Sequence, residues 1–297
     1  MPLHLPEKRG RTETILWTGF AASALLVAYR EWAPGHSSFG IDQILNTVAY
    51  AFALWLCIRV LSDHTVGSTM RLAWMMMAWS SVFSIVRHLF EFTARTAGWE
   101  ASMLHTTVSL RQIPIVLALV CLTAGLIAMW ASFAALGMGV RFHWMDLLWA
   151  ALILAFVPFI INSHENMQDA HSEWPFIRYL QSASPVLLAV PALLAVVLHR
   201  IRQEMGGGQL AVVFRLFIAF LLLRLVALSA SVTAMRVELP VLFIIGQASG
   251  AAAVWLFPIA ALKRWQMTLA ASELARRYES NPGAELEQLA ARSIGGS

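Results

Sequence analysis

Eight stretches of this chain are apolar over roughly the length of a membrane-spanning helix, and polar residues separate each stretch from the next. A helix rises about 1.5 Å per residue, so about 20 apolar residues cross the hydrocarbon core of a bilayer. The pattern predicts spans over Ile15 to Tyr29, Ile41 to Leu61, Leu72 to Thr93, Ile113 to Ala135, Met145 to Ile161, Leu180 to Leu198, Leu210 to Val232 and Leu239 to Leu262. We therefore expect an all-α, polytopic integral membrane helix bundle with about eight transmembrane helices.

The composition agrees with this class of protein. Hydrophobic residues make up 59% of the chain and charged residues 13%, whereas soluble domains have about 25% charged residues. The excess of 21 basic over 17 acidic residues is small, and the basic residues form no cluster of the kind that binds nucleic acid. Cys57 and Cys121 both fall inside predicted spans, which argues against a disulfide on the outer side.

The positive charges predict the orientation of the bundle, because Lys and Arg are enriched in cytoplasmic loops. They recur at every second loop, at Lys8, Arg9 and Arg11, Arg59 and Arg71, Arg141, Arg200 and Arg202, and Lys263 and Arg264. We therefore expect both termini in the cytoplasm and the bundle in the inner (plasma) membrane. Residues 1–13 would form a cytoplasmic N-terminal segment, 14–262 the transmembrane domain and 263–297 a cytoplasmic tail.

Three polar residues in the outer half of the third span form the first candidate site. Arg87, His88 and Glu91 have the i, i+3 and i+4 spacing that places Glu91 on the same helix face as both of the others. A charge within a membrane is costly unless it is paired or faces a wet cavity, so the cluster should point into the bundle. It could hold a ligand, an ion or a proton, and it could equally be an internal salt bridge that ties helices together.

Arg224 is the second candidate, because it lies about halfway across the seventh span among leucines. At that depth the side chain cannot easily reach the membrane surface, so it needs a carboxylate, carbonyl oxygens or an anionic ligand. Glu91 is a candidate partner. If Arg87 satisfies Glu91 instead, the guanidinium of Arg224 could bind a small anion.

The polar segment between the fifth and sixth spans suggests a possible metal site. His164, Asp169 and His171 could supply nitrogen and oxygen ligands to a divalent metal ion. Their spacing matches no strong metal signature, and a solvated outer loop that happens to contain two histidines is the commoner explanation. No other cofactor is predicted.

Catalytic signatures are absent from the sequence. It contains no Gly-x-Ser-x-Gly, His-Glu-x-x-His or phosphate-loop motif. Only His88 lies well inside a span, which disfavours a bis-histidine haem site. An intramembrane enzyme using Glu91 and His88 as acid and base stays open, but nothing supplies it with a nucleophile or metal.

The residues after the last span predict a short amphipathic C-terminal helix. Its apolar side chains recur at helical spacing at Leu262, Trp265, Leu269, Leu274 and Tyr278. Such a helix could rest on the anionic inner leaflet. It could also form a homo-oligomer or dock on a cytoplasmic protein through residues 262–279.

Two functions follow from these features. The first is a transporter-like or channel-like protein that binds a small molecule or ion, such as a small anionic ligand, at Arg87, His88, Glu91 and Arg224. The second is a membrane sensory or complex-assembly module that signals to a separate partner through its C-terminal helix.

Overall fold

A computed structural model describes residues 5–32, 41–62, 67–97, 104–138, 143–167, 175–205, 208–237 and 239–280. Every regular element in these ranges is an α-helix, and no strand occurs in them. The helices are α1 (Leu5–Trp32), α2 (Ile41–Leu61), α3 (Ser68–Thr96), α4 (Leu104–Ala134), α5 (Trp144–Met167), α6 (Pro175–Glu204), α7 (Gln209–Val237) and α8 (Pro240–Ser280).

Four of these helices contain a segment that is long and apolar enough to cross a membrane. The segments are Gln43–Leu61, Gln112–Ala134, Gln209–Ala230 and Pro240–Glu273. Large apolar side chains on the outside of the bundle, such as Leu25 on α1 and Leu147 on α5, are exposed, as expected of a surface that lipid covers. The predicted class is therefore confirmed: the chain is a helical, multi-pass membrane protein.

The remaining helices contain the other predicted spans but are less apolar or shorter. In α3, Ser80, Ser81 and Ser84 accompany the charged cluster and lower the mean hydropathy of the segment. In α5 the described apolar segment is the shorter Trp144–Ala155. Ser80, Ser81 and Ser84 are all buried, so the face of α3 that carries them points into the protein.

Helix α8 lies at the centre of one half of the bundle. Every residue from Ala251 to Leu262 is buried, and α1, α2 and α7 all pack against this helix. A helix that is apolar on all sides is stable only when neighbours or lipid surround it completely. The small side chains of Ala252, Ala253, Ala260 and Ala261 let those neighbours approach closely.

The contact between α1 and α8 depends on a glycine. A Cβ atom added to Gly19 would overlap the ring of Trp255, so this position has no room for a side chain. One turn further along α1, the buried hydroxyl of Ser23 accepts a hydrogen bond from the Trp255 indole nitrogen at 2.6 Å. The indole thus packs over Gly19, and its only polar atom is satisfied inside the bundle.

The other helices extend the bundle away from α8. α3 packs between α2 and α4, and α6 is in contact with α4, α5 and α7. Gly125 of α4 faces the backbone of α3, where an added Cβ would lie 3.0 Å from the carbonyl oxygen of Ala73. The contact of α1 with α8 and that of α4 with α3 therefore both use a glycine.

Charged contacts join helices at the end where the positive charges predict the cytoplasm. Lys263 Nζ of α8 donates to Glu13 Oε2 of α1 at 2.6 Å. Arg71 at the start of α3 donates to the carbonyl oxygen of Leu61 at the end of α2, at 3.2 Å. These groups can reach the aqueous boundary, where charges cost least.

The predicted C-terminal helix is the continuation of α8. The helix runs without a break from Pro240 to Ser280 and crosses the predicted domain boundary at residue 262. Its 41 residues give a rod of about 60 Å. A Trp55 and Trp265 contact, with ring centroids 5.9 Å apart, holds the first turn of this extension against α2.

We expect Gly19→Ala to lower the stability of the protein, because the new methyl group would overlap the ring of Trp255. Overpacking of this kind costs about 1–3 kcal/mol. The measurement is the melting temperature of the purified protein. Gly10→Ala on the same helix is the control, because nothing lies within 4 Å of its added Cβ and alanine favours a helix by up to about 1 kcal/mol. Equal melting of the two variants would contradict the close approach of α1 and α8.

Candidate ligand-binding site

The structure brings together the three candidate residues of α3. Arg87 Nε lies 3.3 Å from Glu91 Oε1, and His88 Nδ1 lies 3.5 Å from Glu91 Oε2. His88 and Glu91 are 6% and 8% exposed. The His88 contact lacks the geometry of a hydrogen bond, so it is an electrostatic contact rather than a directed one.

Helix α2 supplies the wall opposite His88. The ring of Tyr50 stacks on the His88 ring with centroids 5.8 Å apart and an interplanar angle of 24°. Gln43 and Asn46 precede Tyr50 on the same face of α2, at helical spacing. Gln43 Oε1 and Asn46 Oδ1 are buried, and no donor in the described part of the chain reaches either oxygen. This face therefore offers hydrogen-bonding capacity that the protein itself does not use.

Arg224 of α7 lies close enough to His88 to interact with it electrostatically. Its side chain is half-buried. The contact of Trp74 with Phe217, whose ring centroids are 6.0 Å apart, shows that large side chains bridge α3 and α7. Arg87, His88 and Glu91 form one cluster on α3, Arg224 interacts with His88 only electrostatically, and the role of these four residues in binding a ligand stays a prediction.

The predicted metal site lies largely beyond the described residues. His164 belongs to α5, but its side chain is not described, and Asp169 and His171 fall outside the described ranges. Elsewhere in the described ranges no group of three His, Cys, Asp or Glu side chains could hold a metal ion. The metal site between α5 and α6 stays a prediction.

A second polar group, which sequence reasoning missed, joins α5 to α6. Asp146 in the first turn of α5 is 6% exposed, and its Oδ2 atom lies 2.8 Å from Arg200 Nε of α6. The same oxygen accepts a hydrogen bond from the backbone N–H of His143 at 2.7 Å. Asp146 therefore caps its own helix and neutralises an arginine of the neighbouring one.

The network continues along α6. Arg200 Nη1 donates to Gln203 Oε1 at 2.6 Å, and Gln203 Nε2 lies 2.9 Å from His199 Nε2. Because an amide nitrogen is a donor, His199 Nε2 must accept, and in the neutral ring Nδ1 then carries the proton. The side chains of Gln203, His199 and Arg200 are thereby held in one arrangement.

The sequence contained one signal for this group. In a capping box, a polar residue precedes the first turn of a helix, and an acidic side chain three positions later accepts from its backbone N–H. Here Asp146 follows His143 by three residues. Spacing cannot reveal that Arg200 lies opposite, because the two residues belong to different helices and lie more than fifty positions apart in the sequence.

No protein-family model, curated protein or solved structure matches the chain.

We expect Glu91→Gln to lower the melting temperature more than Glu13→Gln does. Glu13 and Lys263 form a pair that is 31% and 26% exposed, and pairs near the surface contribute about 1 kcal/mol or less. Breaking a buried ion pair costs about 3–5 kcal/mol. Because Glu91 is buried and Arg87 is half-exposed, the cost of breaking their pair should lie between the surface and the buried values. A smaller loss for Glu91→Gln than for Glu13→Gln would show that Glu91 does not hold the bundle together.

Stability should also depend on the protonation of His199, which follows the predicted sixth span. Burial lowers the pKa of His199, Arg202 lowers it further, and Asp146 partly opposes the shift. The folded protein then binds this proton less readily than the unfolded chain does. The stability that neutral His199 contributes to the folded state is fully present above the ordinary histidine pKa of about 6.5. It is lost as the pH falls through that value toward the lower pKa of the folded protein.

The measurement is the melting temperature of the wild type and of His199→Asn between pH 7.5 and pH 5.5, a range around the ordinary histidine pKa of about 6.5. The wild type should lose stability on acidification, and the variant should lose less. Identical pH profiles would exclude His199 as the titrating group.

Proposed function

We propose that this membrane protein binds a small organic anion among Arg87, His88, Glu91 and Arg224 and acts as a transporter-like or channel-like protein. The single observation that carries the proposal is the excess of positive charge in this partly buried cluster. Two arginines accompany one glutamate, so the sum is positive whether His88 is neutral or protonated. Because a net charge away from water is costly, an anion would stabilise the cluster.

The wall formed by α2 supports a ligand that also carries a hydrogen-bond donor. Gln43 Oε1 and Asn46 Oδ1 are acceptors that none of the described residues satisfies. A hydroxyl group on the anion would give them a partner. Lactate has this chemistry, whereas acetate has only the carboxylate.

The membrane arrangement that accompanies this proposal has eight spans, both termini in the cytoplasm and the inner membrane as its location. The contacts of Glu13 with Lys263 and of Asp146 with Arg200 support it, because each joins residues that the positive-inside rule places on the same side. The cluster of α3 then lies in the outer half and would receive its ligand from outside the cell.

A sensory or assembly role is the second candidate, and one observation favours it. α8 continues as a single helix from its buried part to Ser280. A change of packing around Ala251 to Leu262 would therefore move the residues beyond Lys263, where residues 262–279 would contact a partner protein or a second copy.

We expect lactate to raise the melting temperature of the wild type more than acetate does, because ligands that bind the native state stabilise it. Arg224→Gln should abolish the shift. Arg215→Gln is the matched control, since it removes the same charge from an exposed position of α7 and should keep the shift. No shift with any anion, or equal loss in both variants, would contradict the proposed site.

Uptake into proteoliposomes separates the two functions. A transporter or channel moves the stabilising anion across the membrane without another protein, and Arg224→Gln stops this movement. A sensor binds the same anion, with the same dependence on Arg224, and moves none of it.

A further inference from the structure

A cavity of about 240 Å³ lies between α5, α6 and α7, apart from the cluster of α3. Its lining comes from one face of each helix. α5 contributes Asp146, Trp149 and Ile153, at the three- and four-residue spacing of a single helix face. An apolar cavity of about 150 Å³ is enough to bind benzene, so this cavity has room for part of a lipid-like molecule.

The cavity is polar at one end and apolar along its length. α6 lines it from His199 to Ala195 and Ala192, and α7 adds Ile218 and Leu222. Asp146 and Ile153 on α5, like His199 and Ala192 on α6, are seven positions apart, which corresponds to about 10 Å along the helix. Both polar residues lie at the end where the basic residues predict the cytoplasmic boundary.

The open side of the cavity faces the surroundings of the bundle. Trp149 and Leu222 are 56% and 44% exposed, whereas Ile153, Ala192 and Ala195 are buried. Leu222 also belongs to the candidate membrane span Gln209–Ala230. An apolar chain can therefore enter from the bilayer without crossing water.

The polar end offers one acceptor and one donor. Both contacts of Asp146 use Oδ2, and Oδ1 has no hydrogen bond among the described residues. His199 Nε2 accepts from Gln203, which leaves the Nδ1 hydrogen of the neutral ring as a donor. Among the described residues, Asp146 is the only charged one that lines the cavity, and Arg200 neutralises it, while Arg202 acts on His199 from outside the lining.

We propose that this cavity binds a neutral single-chain amphiphile with a hydroxyl head, whose apolar chain runs between Ile153 and Ala192 toward Leu222. A hydroxyl group donates and accepts at once, so it satisfies Asp146 Oδ1 and His199 Nδ1 together. A carboxylate would meet the negative charge of Asp146, and an ammonium group would find no acceptor at His199. This site is independent of the proposed anion site.

The test uses the full-length protein in phospholipid nanodiscs and dodecanol that carries a photoreactive diazirine in its chain. Cross-links should map to the peptides that contain Trp149 and Ala192. Unlabelled dodecanol should compete about tenfold better than dodecanoate or dodecylammonium, the ratio expected when an unsuitable head leaves a buried polar group unsatisfied.

Ala192→Phe fills the cavity and should abolish these cross-links. Ala151→Phe is the matched control, because it adds the same ring at an exposed position of α5, and it should keep them. Ala195→Phe serves as a second blocking variant if Ala192→Phe does not fold.

Two results would overturn the proposal. Equal labelling of the wild type and a folded blocking variant, or labelling spread evenly over exposed residues such as Leu147, would identify ordinary contact with surrounding lipid. Better competition by dodecanoate or dodecylammonium would refute the hydroxyl head.

Discussion

The packing of α1, α2 and α7 depends on one constraint, which is that α8 must be buried on all its sides. No residue between Ala251 and Leu262 has a surface that faces water or lipid, so α1, α2 and α7 must all be present before this helix is covered. The position of each neighbour is then fixed by shape, as the contact of Trp255 with Gly19 and Ser23 illustrates. Close packing of this kind replaces the hydrophobic effect, which does not draw helices together inside a bilayer.

Polar groups enter this apolar structure at two places, and their charges are balanced differently. Among the described residues around His88, two arginines accompany one glutamate, and two amide oxygens of α2 are buried without a donor. Asp146 forms a neutral ion pair with Arg200, and Asp146 Oδ2 and Gln203 are already hydrogen-bonded. The first arrangement therefore favours a ligand that brings negative charge, and the second favours one that brings none.

Local patterns predicted the helices well and their contacts only in part. The length of each apolar segment was enough to locate the helices of the described residues. The spacing of Arg87, His88 and Glu91 was enough to place these three residues on one face of α3. Segment length and residue spacing are both properties of a single helix. The stacking of Tyr50 on His88 and the pairing of Asp146 with Arg200 join different helices, and no spacing along the chain encodes them. The extension of α8 was predicted as a separate short helix because its composition changes at Lys263, whereas its backbone hydrogen bonding continues unchanged to Ser280.

Two ion pairs join described helices near the end predicted to face the cytoplasm. Glu13 with Lys263 connects α1 to α8, and Asp146 with Arg200 connects α5 to α6, while the pair of Arg87 with Glu91 lies within one helix. Each of the two interhelical pairs limits how far one helix can slide along its neighbour. The register of α1 against α8, and of α5 against α6, is therefore restricted at this end of the bundle.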